Sequence, residues 1–175
     1  MTEPLADHFS AAACDYDRFR PRYPASLFDY LASLVAERDL AWDGATGTGQ
    51  AAAPLAARFR RVVASDASFA QITQTSRLPG VNFFVARAER VPLRDDCASL
   101  VTVGQALHWF DRAAFFSEAK RILRPDGILL LTDSLGSAWR ARRAGIAIRA
   151  GSAVSGRRIL LTHGLAPPMG SGRRL

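Results

Sequence analysis

An α/β architecture, with a doubly wound sheet of about five parallel strands flanked by helices, is what this chain of 175 residues predicts. Three features carry the expectation. Several short runs, among them Val62-Val63-Ala64-Ser65, Asn82-Phe83-Phe84-Val85, Leu100-Val101-Thr102-Val103 and Ile128-Leu129-Leu130-Leu131, are apolar throughout, as in strands buried on both faces. Helix-spaced segments alternate with those runs, which is the βαβ signature. The length, with 49% apolar and 22% charged residues, suits one globular domain with a sizeable core.

The elements follow in order. Leu27, Leu31, Leu34 and Val35 recur at helical spacing behind Pro24, which predicts a helix over 24–37. A shorter amphipathic helix is expected over 9–18, separated from the next by two prolines, Pro21 and Pro24, which forbid a continuous helix. An apolar run ending at Trp42-Asp43 is the first strand, followed by a Gly-rich turn and an Ala-rich helix over 50–59. Strand 61–66, helix 67–76, strand 81–85, strand 99–103, helix 110–123 and strand 127–132 complete the alternation.

Charge divides the chain. Residues 1–133 carry 15 basic and 16 acidic side chains, whereas 134–175 carry eight arginines and no acid, so the overall +7 belongs to the C-terminal segment. Residues 1–133 are therefore read as one domain whose first 38 residues supply lid helices. Residues 134–175 are read as an Arg- and Gly-rich basic tail of weak order, with 159–161 its one plausible short strand. A disordered tail, a stretch out of register with an ancestral coding sequence and a nucleic-acid-binding arm all remain open. The last is the weakest reading, because Trp139 is the tail's only aromatic and stacking platforms need more.

Two cysteines, Cys14 and Cys97, with no companion ligands at metal spacing, point to reduced thiols and no metal site. The N-terminus lacks the basic and apolar runs of a signal peptide, and no stretch is apolar enough to span a bilayer. A cytoplasmic protein without a membrane partner is the expectation.

The chemistry concentrates in Asp43-Gly44-Ala45-Thr46-Gly47-Thr48-Gly49, where the first strand gives way to a helix. Glycines let a backbone approach a ligand closely, and the N–H groups of a helix start attract a negative group. Asp66 ends the second strand 17 residues after Gly49, where a carboxylate can accept hydrogen bonds from two ribose hydroxyls. It suits equally the start of the next helix as a cap. An acid at this point argues against a 2′-phosphate but does not separate NAD from S-adenosylmethionine.

These residues resemble the class I S-adenosylmethionine-dependent methyltransferases, in particular the trans-aconitate methyltransferase-like branch (methyltransferase type 11). The D-x-G-x-G-x-G loop is similar to residues 43–49, the ribose acid to Asp66, and the adenine-side segment to residues 86–92. The segment after the fourth strand resembles residues 104–111, the L-R-P-D-G turn residues 123–127, and the lid Phe9, Ala13, Tyr16, Arg20-Pro21 and Tyr23-Pro24. Together they cover roughly residues 8–133.

The resemblance implies a Rossmann-like fold, S-adenosylmethionine as cofactor and methyl transfer to a small-molecule acceptor, with a carboxylic acid among the candidates. It implies that the loop of Asp43, Ala45, Gly47 and Gly49 meets the methionyl moiety, with Asp43 organising the loop or meeting the amino group, and Arg20 pairing with the carboxylate. Asp66 would hold the ribose, Ala88 and Glu89 would lie near adenine, and Gln105 would hydrogen-bond cofactor or substrate. His108 is the candidate catalytic residue, as proton acceptor or orienter, against a plain structural role. Tyr16, Tyr23 and Trp109 are candidates to face a sulfonium, and for Trp109 core packing is the favoured account.

Three departures stand out. Ala45 replaces the loop's first glycine, which requires a negative φ there. Arg87 stands where many family members carry an acid. From Ser134 onward nothing resembles the family's further helix and antiparallel strands, so the sheet is expected to end at the fifth strand. A truncated, catalytically impaired relative is the alternative that this last departure keeps alive.

Overall fold

The computed structural model describes residues 23–75 and 78–132, together with the backbone of two strands at 149–154 and 157–162. The expected lid helix, Arg20 and most of the C-terminal segment lie outside the described residues.

Helix α1 (Ala25–Leu34) follows Pro24, whose extended backbone turns the chain into the first turn, and buries Leu27, Phe28, Leu31 and Ala32 on one side. It stops three residues short of the expected end, where the Arg38 guanidinium donates to the Ala32 carbonyl and satisfies a group the helix end would otherwise leave open. Strand β1 (Leu40–Gly44) is buried along its whole length. Helix α2 (Ala52–Ala56) and strand β2 (Arg61–Asp66) follow, then α3 (Phe69–Thr75), β3 (Val81–Val85) and β4 (Ala98–Gly104). A short 3-10 turn (Leu107–Trp109) leads into α4 (Arg112–Ile122), capped by Asp111, whose carboxylate accepts from the Ala114 N–H at 3.1 Å.

Strand β5 (Leu123–Thr132) begins earlier than the sequence suggests. Ala98 pairs with Leu123 and Leu100 with Ile128, so the L-R-P-D-G segment is a bulge within the strand, not a turn ahead of it.

Strands β1 to β5 run parallel in the order β3-β2-β1-β4-β5, as expected for the doubly wound class. Each face is packed separately. One core joins Leu27, Phe28 and Leu31 of α1 to Ala52 and Leu55 of α2 and to Leu100, Ile128 and Leu130 of the sheet. The other sets Phe115, Ala119 and Ile122 of α4 against Trp42, Val101, Leu129 and Leu131. The alternation along residues 128–131 of β5 therefore feeds two cores, which is why that run is apolar at every position.

The sheet does not end at β5, which corrects the expectation about its edge. The backbone of β7 (Arg157–Thr162) lies parallel along β5, from Ile128 opposite Arg158 to Thr132 opposite Thr162, and β6 (Arg149–Val154) pairs antiparallel with β7. An open β5 edge would leave a row of backbone N–H and C=O groups unpaired. Main-chain pairing satisfies them whatever the side chains; the expected short strand at 159–161 lies within β7, while the Gly- and Arg-rich composition concealed β6 and the pairing with β5. Among the described residues no helix is long and apolar enough to cross a membrane.

Candidate functional site

The carboxyl rim of β1, β2 and β4 is held together by two aspartates. Asp43 is 2% exposed. Its Oδ2 accepts from the Thr46 hydroxyl at 2.6 Å and its Oδ1 from the Thr102 hydroxyl at 2.7 Å, so one carboxylate joins the glycine loop to the neighbouring strand β4. The Ala52 N–H, at the start of α2, also donates to it. Burial pushes the Asp43 pKa up to about 6 against the opposing pull of the Thr46, Thr102 and Ala52 donors, and the nearby Asp66 charge adds to the rise. Asp43 thus fixes the glycine loop against β4.

Asp66 turns its carboxylate toward the loop. Oδ2 accepts from the Gly47 N–H at 3.0 Å and Oδ1 from the Ser68 N–H at 2.9 Å. The second bond is an Asx turn ahead of α3, not the helix cap allowed as an alternative, because α3 is capped by Ser68, whose hydroxyl accepts from the Gln71 N–H at 3.4 Å; the first ties β2 to the glycine turn. The Thr46 N–H reaches the Ser65 carbonyl at 2.9 Å, and the Thr75 hydroxyl reaches the Gly47 carbonyl from α3 at 2.9 Å.

The loop bends through left-handed backbone at Ala45 (φ 52), Gly47 (φ 53) and Gly49 (φ 77). The first value overturns the expected negative φ at Ala45. An alanine in this region carries about 1–2 kcal/mol of steric cost, here carried by the Asp43 clamp that dictates the turn. Ala45→Gly is therefore expected to stabilise the chain by about 0.5–1 kcal/mol, read as a higher urea midpoint. A lower midpoint would show that the turn does not need this conformation. Gln105, where the chain leaves β4, is a second non-glycine in the same region (φ 55), pinned by its N–H to the Thr132 carbonyl at 2.6 Å.

Between these two bends lies a shallow cleft lined by Tyr23, Asp43, Ala45, Thr46, Gln50, Ala51, Gly104 and Gln105. Of the residues singled out in the sequence, the structure places Tyr23, Asp43, Ala45 and Gln105 in its wall, with Gly47, Gly49 and Asp66 in the adjoining loop and strand end. It does not gather Ala88, Glu89, His108 or Trp109 there. Ala88 is packed in the core on the α4 side. Glu89 is a clasp: its Oε1 accepts from the Asp111 N–H at 3.0 Å and its Oε2 from Arg87 at 3.4 Å. His108 is exposed on the 3-10 turn, its ring 4.7 Å from that of Trp109. Trp109 is 61% exposed, so it is not core packing.

Thr46 and Thr102 were missed. The available signal was a hydroxyl in the otherwise apolar run Leu100-Val101-Thr102-Val103, since a buried polar side chain needs a partner.

The cleft fits a nucleoside cofactor bearing positive charge. Two carboxylates stand at the rim, and their bonds leave acceptor capacity: Asp66 uses two of about four lone-pair sites, one on each oxygen. Gly104 keeps the wall low, because a Cβ there would fall on the Tyr23 hydroxyl. Among the described residues no cluster of His, Cys, Asp and Glu could hold a metal ion.

Comparison with known proteins bears on this site. A family model described as a methyltransferase domain matches residues 42–131, which include β1, the glycine loop and the sheet through β5. A protein assigned as a methyltransferase in Dictyostelium discoideum is 36% identical over 138 residues, covering 75% of this chain and 52% of that protein. The malonyl-[acyl-carrier protein] O-methyltransferase of a Marinomonas species is 32% identical over 142 residues, covering 76% of this chain and 53% of its own length. The solved structure of a protein assigned as a type II methyltransferase from Anaeromyxobacter dehalogenans superposes with a TM-score of 0.61 at 41% identity, over 63% of this chain and 47% of that one. This chain spans about half the length of the curated relatives it matches. With its glycine loop, rim aspartates and parallel sheet in this order, the chain belongs to the class I S-adenosylmethionine-dependent methyltransferase family.

Proposed function

We propose that the cleft binds S-adenosylmethionine and that the chain transfers its methyl group to a small-molecule carboxylate. When bound, the cofactor supplies a methyl group already activated on a positively charged sulfur, and the protein's task is to bind, orient and exclude water. Asp66 would receive the two ribose hydroxyls on its remaining lone pairs. The backbone around Gly47 and Gly49 would face the methionyl carboxylate, with Arg20 as its counter-charge. Asp43 would hold the loop in shape, and Gln105 would hydrogen-bond across the cleft. Ala88 and Glu89, assigned to the adenine side by resemblance, would act at most through the loop that Glu89 clasps.

A carboxylate acceptor supports this reading best because it needs no general base. The only histidine among the described residues, His108, is exposed on a turn, outside the wall of the cleft. The Marinomonas relative, an O-methyltransferase named for a malonyl carrier, is consistent with an acid as acceptor. A cytoplasmic setting and no nucleic-acid partner complete the proposal.

The observation that carries it is the Asp66 carboxylate turned to the Gly47 N–H at 3.0 Å, which puts the expected ribose anchor beside the expected methionyl loop. Calorimetry with S-adenosylhomocysteine tests it. The unmodified chain should bind, and Asp66→Ala should lose about 1–3 kcal/mol of binding, roughly five- to 150-fold in Kd. Equal affinities would remove Asp66 from the site. No binding by the unmodified chain at millimolar ligand would favour the impaired relative.

A further inference from the structure

Among the described residues that line the cleft, Asp43 is the one carboxylate, and none is basic. Its charge cannot turn away from that space. One oxygen is held by the Thr46 hydroxyl and the other by the Thr102 hydroxyl, while the Ala52 N–H donates from α2. On a mobile surface side chain such a charge would be screened by water, but Asp43 is 2% exposed, so a ligand in the cleft meets it at low effective dielectric. Burial is also the main reason that its pKa is raised to about 6, with the Asp66 charge adding to the rise. The titratable groups beside it are Asp66, at the end of β2, and the Tyr23 phenol in the cleft wall; β4 contributes the Thr102 hydroxyl and, at its end, Gln105. Asp66 is not part of that wall, and its oxygens accept from the Gly47 and Ser68 N–H groups.

S-adenosylmethionine and S-adenosylhomocysteine share their nucleoside, ammonium and carboxylate, and differ by one methyl group and one positive charge on sulfur. Every contact common to the two, including any made by Arg20, cancels in the ratio of their affinities. The methyl group does not titrate. What changes with pH in that ratio is the response of the chain to a single charge.

We propose that Asp43 is a specificity-determining residue by which the chain prefers the charged cofactor to its uncharged product, because its fixed carboxylate attracts a sulfonium and has no such attraction for a neutral thioether. The inference rests on the proposed S-adenosylmethionine site. Protonation of Asp43 removes the attraction, so the preference is greatest where Asp43 is ionised.

Calorimetry on the full chain with each ligand at pH 5, 6 and 7 tests it. In this range the ligand carboxyl, of ordinary pKa about 3.5, and the ammonium, about 7.8, keep their charges. The preference for S-adenosylmethionine over S-adenosylhomocysteine should grow about three- to tenfold from pH 5 to pH 7. Asp43→Asn, which keeps the shape and one acceptor oxygen but no charge, should bind both ligands in a ratio that pH does not alter. A pH-independent ratio in the unmodified chain overturns the proposal. So does a ratio that changes equally in Asp43→Asn, which would transfer the effect to Asp66. If Asp43→Asn does not fold, the carboxyl ¹³C shift of Asp43, titrated in each complex of the unmodified chain, decides: a lower midpoint with S-adenosylmethionine supports the proposal, and equal midpoints reject it. Binding of neither ligand at any of the three pH values would strike the S-adenosylmethionine site itself, and the proposal with it.

Discussion

Asp43→Ala should lower the unfolding free energy at pH 7 by about 2–3 kcal/mol and loosen the cofactor loop with it. The substitution strands two buried hydroxyls, on Thr46 and Thr102, and the Ala52 N–H. Each lost partner of this kind costs about 1–3 kcal/mol. Hydroxyl rotation and relief of the buried charge offset part of the total. A pH series gives the loss a signature. The Asp43 pKa is raised to about 6 in the folded chain from an ordinary 3.8, so protons bind the folded form more tightly. Its contribution to stability is fully present below pH 3.8 and is lost as pH rises through 6. From pH 7 to pH 5 the unmodified chain should therefore gain about 1–2 kcal/mol relative to Asp43→Ala. Subtracting the two urea titrations removes opposing carboxylates such as Glu118, whose pKa the Arg121 guanidinium lowers. A pH-independent difference would mean that Asp43 is not the buried, charged clamp described above.

Gly49→Ala is expected to cost about 2–4 kcal/mol, on steric grounds alone. Gly49 has φ 77, and a Cβ there would stand 2.6 Å from Leu78 Cδ1 and 2.7 Å from Thr75 Cγ2. Leu78 can swing its end away. Thr75 cannot, because it is branched at Cβ, 7% exposed and bonded through its hydroxyl to the Gly47 carbonyl. The clash therefore moves α3 against the loop, and S-adenosylhomocysteine affinity should fall more than tenfold together with the urea midpoint. A variant that keeps both would show that the α3 contact is not part of the site.

What the sequence revealed and concealed follows from the range of each interaction. Strands β2 and β3 match their expected limits, because an apolar run between turn residues is a local signal. The parallel direction of the five strands follows from the βαβ alternation; their order was not expected from it. Helix ends were overrun, as α1 shows: its stop depends on Arg38 folding back to the Ala32 carbonyl. The bulge in β5 depends on where β4 lies, and although a strand at 159–161 was legible, its placement beside β5 rests on main-chain groups. The same division runs through the site. The glycine loop and Asp66 were legible, being consecutive or at familiar spacing. The Asp43–Thr102 bond and the Glu89 clasp on Asp111 join residues 59 and 22 positions apart, and spacing along the chain announces neither. Ala45 was misjudged because residue type pointed to negative φ while the clamp around it sets a positive one.

Strand β1 has β2 on one side and β4 on the other, and the partner on the β4 side arrives 59 residues after Asp43. A nascent chain still emerging from the ribosome holds β1, its glycine turn and β2 long before Thr102 has been synthesised. Until then Asp43 lacks half of its hydroxyl partners, and the turn has only its β2 side to brace it. Maturation of the binding rim is accordingly a post-nucleation event set by closure of a long loop. Ribosome-stalled chains ending before β4 should capture no immobilised S-adenosylhomocysteine even where β1 and β2 have already paired.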